Sequence, residues 1–287
     1  MMPERYFLNL ADRSSWEIFG CNAYGRRLAA GLAAAMELDA LPARPDAPRA
    51  GIPEAENRSL HIRGQKLPSL WKRLPQEKNR RVVCNVGPVD DKEMFAVHLL
   101  NISQLLASYC EAKGGLLLHA ALVCKGKSGI ALLGGSGSGK TTASRRSPFP
   151  WSACCDDYTL VVRDASGLYW AHPWPTWSRF FQQGPGGSWP TEAAILLRAI
   201  FLLQPAADAD QGWIAMPVSQ RIEAILAAVE QATWSTTMNL DKRQRRSIRM
   251  RRLQNSIALA KSVPGYRLRL TLTGNFWEAM ENALAWT

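Results

Sequence analysis

The chain has 287 residues, 47% of them hydrophobic, so it can bury a full core and fits one large or two small domains rather than a disordered or fibrous chain. No apolar stretch approaches the roughly 20 residues of a membrane span, and the start Met-Met-Pro-Glu-Arg-Tyr lacks the apolar region of a secretory signal, so a cytoplasmic protein that does not engage membranes is expected. The net charge is +11, and the six cysteines (Cys21, Cys84, Cys110, Cys124, Cys154, Cys155) show no Cys-x-x-Cys spacing, which argues against a metal site or a disulfide framework and for reduced thiols.

In chain order, Tyr6–Leu10 and Ser15–Phe19 read as a short antiparallel strand pair around Ala11-Asp12-Arg13, followed by a helix with Tyr24, Leu28 and Leu32 on one face. Pro42, Pro45, Pro48 and Pro53 among alanines and charges mark a linker or long loop near residues 41–56. Strands are expected at Ser59–Arg63 and Arg81–Val86, completing a small α+β region over residues 1–90. A larger domain over 91–287 then opens with a helix from Asp91 to Ala112, because Phe95, Leu99, Ile102, Leu106 and Tyr109 fall on one stripe. His98 lies beside that stripe and is expected to pack there rather than to ligate.

Leu116–Cys124 and Gly129–Leu133 are apolar strands joined by Lys125-Gly126-Lys127-Ser128, a hairpin that delivers the chain into Gly134-Gly135-Ser136-Gly137-Ser138-Gly139-Lys140-Thr141. A Gly, four residues and Gly-Lys-Thr directly after a strand form the phosphate-binding loop pattern of nucleoside triphosphate sites, the Walker A motif. Each residue type has a reason. The glycines let backbone N–H groups wrap the β-phosphate, Lys140 places a point charge on the β/γ oxygens, and the Thr141 hydroxyl ligates Mg²⁺. Thr142 continues into a helix that Pro148 and Pro150 stop early. A strand over Trp151–Cys155 then ends in Asp156-Asp157, an acidic pair where ligands lie in open α/β sheets, and strands follow at Tyr158–Val162 and Leu168–Trp170.

The succession of a strand bearing His119, a tight hairpin, a strand, GGSGSGKT, a short helix and a strand ending in Asp156-Asp157-Tyr158 resembles the catalytic domain of the HPr kinase/phosphorylase family, P-loop kinases related to phosphoenolpyruvate carboxykinase that phosphorylate serine in a protein or peptide. The resemblance covers Leu116 to Val162, with Phe201-Leu202-Leu203 and a strand and helix over Arg267–Ala285 fitting loosely. It implies an α/β fold with a mixed β-sheet and flanking helices, ATP and Mg²⁺ as cofactors, Asp156 as catalytic acid/base, Asp157 assisting through Mg²⁺ or its waters, and His119 supporting the phosphate site. Residues 134–142 would bind the nucleotide and Thr141 and Asp157 the metal. Relatives suggest a homo-oligomer. Full length and the amino-terminal region also resemble the ScmC proteins of SynChlorMet cassettes, kinase-like proteins of a peptide-modification gene cluster. The second, phosphorylase activity of the HPr kinase/phosphorylase family depends on a downstream signature that is missing here, so only the kinase direction is expected.

The expected function is therefore transfer of a γ-phosphoryl group to a serine or threonine of a peptide or small protein. A kinase of a small hydroxylated metabolite, a nucleic-acid-dependent ATPase and a non-catalytic nucleotide-binding scaffold are the alternatives. The nucleic-acid reading lacks a recognisable RNA or DNA module and rests on one segment. Lys242, Arg243, Arg245, Arg246, Arg249, Arg251 and Arg252 include no acid among them. Met250, Leu253, Ile257 and Ala260 recur there at helical spacing, predicting an amphipathic helix with its arginines on the wet side, either a solvated face or a surface for an acidic partner or phosphates. His172 with Trp170, Trp174, Trp177 and Trp189 reads equally as a peptide or nucleobase wall and as residues packed on the sheet.

Overall fold

The computed structural model describes residues 4–41, 57–65, 76–78, 80–175, 189–206, 212–237, 240–271 and 273–284. The prolines of the expected linker and Trp177 lie outside them. Two compact units divide the chain, the first Met1–Leu106 with Pro175–Ala193 and the second Ala107–Trp174 with Ala194–Thr287. The division falls inside the first long helix of the larger region and splices residues 175–193 into the first unit. None of the described helices is long and apolar enough to cross a membrane.

The first unit is a six-stranded mixed sheet. Its strands are β1 (Arg5–Asn9), β2 (Ser15–Gly20), β3 (Ala40–Leu41), β4 (Asn57–Gly64), β5 (Gln76–Lys78) and β6 (Arg81–Val86), in the order β3-β1-β2-β4-β6-β5. The expected hairpin forms, with Tyr6 opposite Ile18 and Leu8 opposite Trp16, and β2, β4 and β6 run parallel. Helix α1 (Ala23–Met36) buries Leu28 and Leu32 as its 3.6-residue stripe requires. Asn22 caps it by accepting from Gly25 N–H at 2.9 Å and also accepts from Gly64 N–H at 3.0 Å, tying the helix start to the end of β4. Helix α2 (Lys92–Cys110) buries Phe95, Leu99, Ile102 and Leu106. His98 is buried on it, with Nδ1 3.0 Å from Tyr24 Oη, and burial lowers its pKa. Trp189 and Thr191 donate backbone N–H groups to Ala35 and Met36 at the end of α1, holding the spliced segment in this unit.

The second unit carries β7 (Leu116–Lys125), β8 (Ser128–Leu133), β9 (Trp151–Cys155), β10 (Tyr158–Arg163), β11 (Tyr169–Trp174), β12 (Ile195–Pro205), β13 (Gly212–Ala215) and β14 (Gly265–Leu270). They form one mixed sheet in the order β11-β10-β7-β8-β12-β14-β13, with β9 also on β7. Strands β8, β12 and β14 run parallel, and β11 pairs back onto β12, closing β10, β7, β8, β12 and β11 into a ring. The helices are α3 (Lys140–Arg146), α4 (Val218–Thr233), α5 (Lys242–Ser262) and α6 (Phe276–Leu284). One core layer joins Val123, Ile130, Leu132, Phe201 and Leu268 of the strands to Ala143 of α3 and Phe276 and Met280 of α6. Helix α4 packs on β7 and against α5, burying Ile225, Val229 and Ala232.

The basic helix departs from expectation. Its buried positions are Arg252, Ser256, Leu259 and Ala260, so of the expected stripe Ala260 is buried, Leu253 and Ile257 are half-buried and Met250 is 48% exposed. Arg252 is not on the wet side. Its Nε donates to Glu111 Oε1 at 2.8 Å and a terminal nitrogen to Thr236 Oγ1 at 3.2 Å. Glu111, also buried, is the partner that makes this placement tolerable, since a buried guanidinium needs a charge and hydrogen bonds to replace water. His172 and Trp174 are buried in β11, Trp170 donates its ring N–H to Asp164, and Trp189 belongs to the first unit. For His172 and Trp174 the packed reading therefore holds.

Candidate functional site

Strand pairing alone brings the expected residues together within the second unit. Ala120 opposes Leu133 across β7 and β8, so His119 lies beside Gly134, where β8 hands the chain to the loop. On the other edge of β7, β9 pairs with its carboxyl half, Leu122 to Lys125, and β10 with its amino half, Leu116 to His119. Strands β9 and β10 are thus two collinear pieces along one edge, interrupted at Asp156-Asp157. Tyr158 opposes His119, so the interruption sets the acidic pair next to His119 and close to the loop. No sequence-local rule announces this convergence, because residues 119, 134 and 157 meet only through register.

The loop has the backbone its glycines permit. Gly137 and Gly139 have φ of 76° and 91°, values a side chain disfavours. At Gly134 the need is space instead, since a Cβ there would lie 2.3 Å from Ser138 Oγ. Lys140 is buried, and its ammonium donates to the carbonyl oxygens of Gly134 at 2.8 Å and Gly135 at 3.0 Å. Burial lowers its pKa, opposed by the charge of Asp157. Ser138 Oγ, buried inside the loop, has no hydrogen-bond partner among the described residues.

A pocket of about 280 Å³ opens here, lined by Ser136 to Thr142, His119 and Asp157. On its far wall His119 Nε2 donates to Asp157 Oδ1 at 2.9 Å, while His119 Nδ1 lies 2.5 Å from Gln231 Oε1 on α4. The ring is thus held from both sides, by the Asp157 carboxylate at Nε2 and by the Gln231 amide at Nδ1. Gln231 was missed by sequence reasoning, and nothing local to it signals a role. Tyr158 packs 6.1 Å from the His119 ring, its pKa pushed up to about 12 by burial and by Asp157.

The two aspartates are not equivalent. Asp157 lines the pocket; Asp156 does not, being buried with Oδ2 3.8 Å from Arg145. Of the two arginines ending α3, Arg146 is a strut, donating to the carbonyls of Thr271 at 3.0 Å and Gly274 at 2.8 Å, so α3 is anchored to the loop after β14. Among the described residues no group of three or more His, Cys, Asp and Glu side chains is placed to hold a metal. Thr141 and Asp157, both on the pocket, supply hard oxygen donors of the kind Mg²⁺ takes when phosphates complete its shell.

A mixed α/β unit with a glycine-rich lysine loop facing a histidine–aspartate pair is the class of protein defined so far. The model of the SynChlorMet cassette protein ScmC matches residues 82–285, and the chain belongs to that family. The matched stretch contains His119, the loop, both aspartates and Gln231, and leaves out the first five strands and α1. No curated protein matches the chain.

Proposed function

We propose that this protein is a P-loop phosphotransferase of the HPr kinase-like type, passing the γ-phosphoryl group of ATP to a serine or threonine hydroxyl of a peptide or small protein. The observation that carries the reading is the pocket itself, in which the GGSGSGKT loop with Lys140 faces the His119–Asp157 pair. Phosphoryl transfer asks little covalent chemistry of a protein, so positioning and charge stabilisation suffice. Lys140 exchanges the carbonyls of Gly134 and Gly135 for β/γ phosphate oxygens. Thr141 would hold Mg²⁺ directly and Asp157 would hold it through the ion's waters, and the ion when bound would neutralise charge on the phosphates.

Asp157 also takes the role that the family resemblance gives to Asp156. Its Oδ1 is engaged by His119, so Oδ2 receives the substrate hydroxyl and its proton. Gln231 holds His119, and His119 holds the carboxylate, an arrangement that fixes geometry before substrate arrives. Asp156, buried beside Arg145, shapes the strand break from behind. The ScmC family name marks its members as cassette proteins, which makes peptides encoded beside the gene the first substrates to try.

The test is γ-labelled ATP offered to the purified protein with Mg²⁺ and such peptides, followed by mass spectrometry of the product. Label on a serine or threonine of the peptide supports the proposal. Release of inorganic phosphate without transfer would make the protein a hydrolase, and transfer to a small hydroxylated metabolite alone would make it a metabolite kinase.

A further inference from the structure

The first ten residues of α5, Lys242 to Arg251, form a helical arm that the core does not claim. Nine of them are exposed and only Ile248 is half-buried. Six are cations, and none is an acid. Lys242–Arg246 and Arg245–Arg249 stand at i,i+4, and Lys242–Arg245, Arg243–Arg246 and Arg246–Arg249 at i,i+3, so every neighbouring charged pair along the arm repels. Lys242 and Arg243 also sit at the helix start, where the macrodipole disfavours cations. The arm keeps its shape from its two ends. A reciprocal capping box between Asp241 and Gln244 fixes the start, and the buried stripe beginning at Arg252 fixes the root. A helix held together against its own charge is a preformed cationic rod whose repulsion is relieved when a polyanion lies along it.

We infer that this arm docks an acidic segment of the polypeptide substrate. The choice of a polypeptide rests on the phosphotransferase reading above; the polyanion site itself does not. The arm follows α4, which carries Gln231, at a separation of eight residues from Thr233 to Asp241, and Arg252 at its root bonds Thr236 just beyond the end of α4. Between Lys242 and Arg252 there is no aromatic residue to stack on a base, as single-stranded nucleic acid sites use. The exposed Met250 and half-buried Ile248 instead offer adaptable apolar contacts among the charges, suited to side chains of a peptide and too few to enter a lipid surface.

The experiment compares the whole protein with an Arg243→Gln/Arg246→Gln/Arg249→Gln variant, which leaves untouched Arg251 and Arg252, whose charges act on Glu111, and the bond from Arg245 to the Leu240 carbonyl. Probes are a fluorescein-labelled twenty-residue peptide containing serine and eight glutamates, a net-neutral peptide of equal length, a single-stranded oligonucleotide and anionic phosphatidylserine vesicles. Exposed charge contacts of this kind are each worth about a twofold change, so the triple variant should bind the acidic peptide about tenfold more weakly, and wild-type binding should fall steeply with salt. Its affinity for ATP and its thermal midpoint should stay level, or the midpoint rise as repulsion is removed. Equal peptide binding by the two proteins overturns the inference. Tighter, arginine-dependent binding of the oligonucleotide or the vesicles overturns it in favour of those partners. Arm-dependent peptide binding without any phosphoryl transfer upholds the docking site and sinks the kinase reading.

Discussion

Replacing Arg252 by methionine tests the least expected feature of the second unit. Methionine fills most of the volume but leaves Glu111, 3% exposed, with its charge unpaired and Thr236 Oγ1 without the guanidinium donor. Removing one partner of a buried pair costs about 3–5 kcal/mol, whereas replacing both partners by apolar residues is often near neutral. The single variant should therefore lose about 4 kcal/mol, or roughly 10 °C in midpoint for a unit of this size. A Glu111→Leu/Arg252→Met double variant should recover to within about 1 kcal/mol of wild type. Burial raises the pKa of Glu111 above its ordinary 4.5, and Arg252 opposes that rise. Without Arg252 the folded carboxyl holds its proton more tightly than the unfolded one, so stability falls as pH climbs above 4.5 toward the raised folded value. The deficit against wild type should be larger at pH 7.5 than at pH 5, measured by urea unfolding followed by circular dichroism. A loss under about 1 kcal/mol at both pH values, or a larger loss at pH 5, would refute the reasoning.

Three further outcomes are expected at the pocket. Lys140→Met should weaken ATP binding and turnover together by about 10-fold or more, because the ammonium acts in ground and transition states alike; unchanged affinity by calorimetry in a folded variant would remove the loop from the site. Asp157→Asn should lower transfer about 100-fold or more, the scale of a positioned base, and Asp156→Asn should chiefly lower thermal stability; a reversed pattern in labelled-ATP assays and melts would return the catalytic role to Asp156. Gln231→Leu removes the support of His119 without touching the loop, so turnover should fall while ATP affinity holds, and Gln231→Glu should restore part of the rate; loss of ATP affinity instead would show that Gln231 acts on the fold.

Much of the second unit could be read from residues alone. Alternation and apolar runs located β7 and β8, the glycine spacing located the loop, and two prolines ended α3 early, all local signals that the packed chain keeps. What eluded reading depends on distance along the chain. Gln231 reaches His119 across 112 positions and Arg252 reaches Glu111 across 141, and neither residue type advertises a buried or supporting role. The basic helix misled because Met250 and Leu253 suggest one apolar stripe while an ion pair supplied the inward face one position away. Between two adjacent aspartates sequence offers no basis for choice. The interruption between β9 and β10 decides which one reaches the pocket, and that interruption is set by pairing to β7.

The closure of β11 onto β12 bears on how the two units are threaded. Trp170 opposes Leu196 and Ala171 opposes Ile195, so the strand that leads out toward residues 175–193 and the strand that leads back from them lie side by side, their paired backbones about 5 Å apart. Residues 175–193 are in that sense a detour from a circuit that is already complete, and the second unit forfeits none of its ladder partners if the detour is bypassed. The dependence runs one way. Joining Trp174 to Ala194 through a tight turn would spare the ring of strands, the loop and the pocket. The first unit, by contrast, would lose the strap that Trp189, Thr191 and Glu192 fasten to the end of α1 and to Asn9.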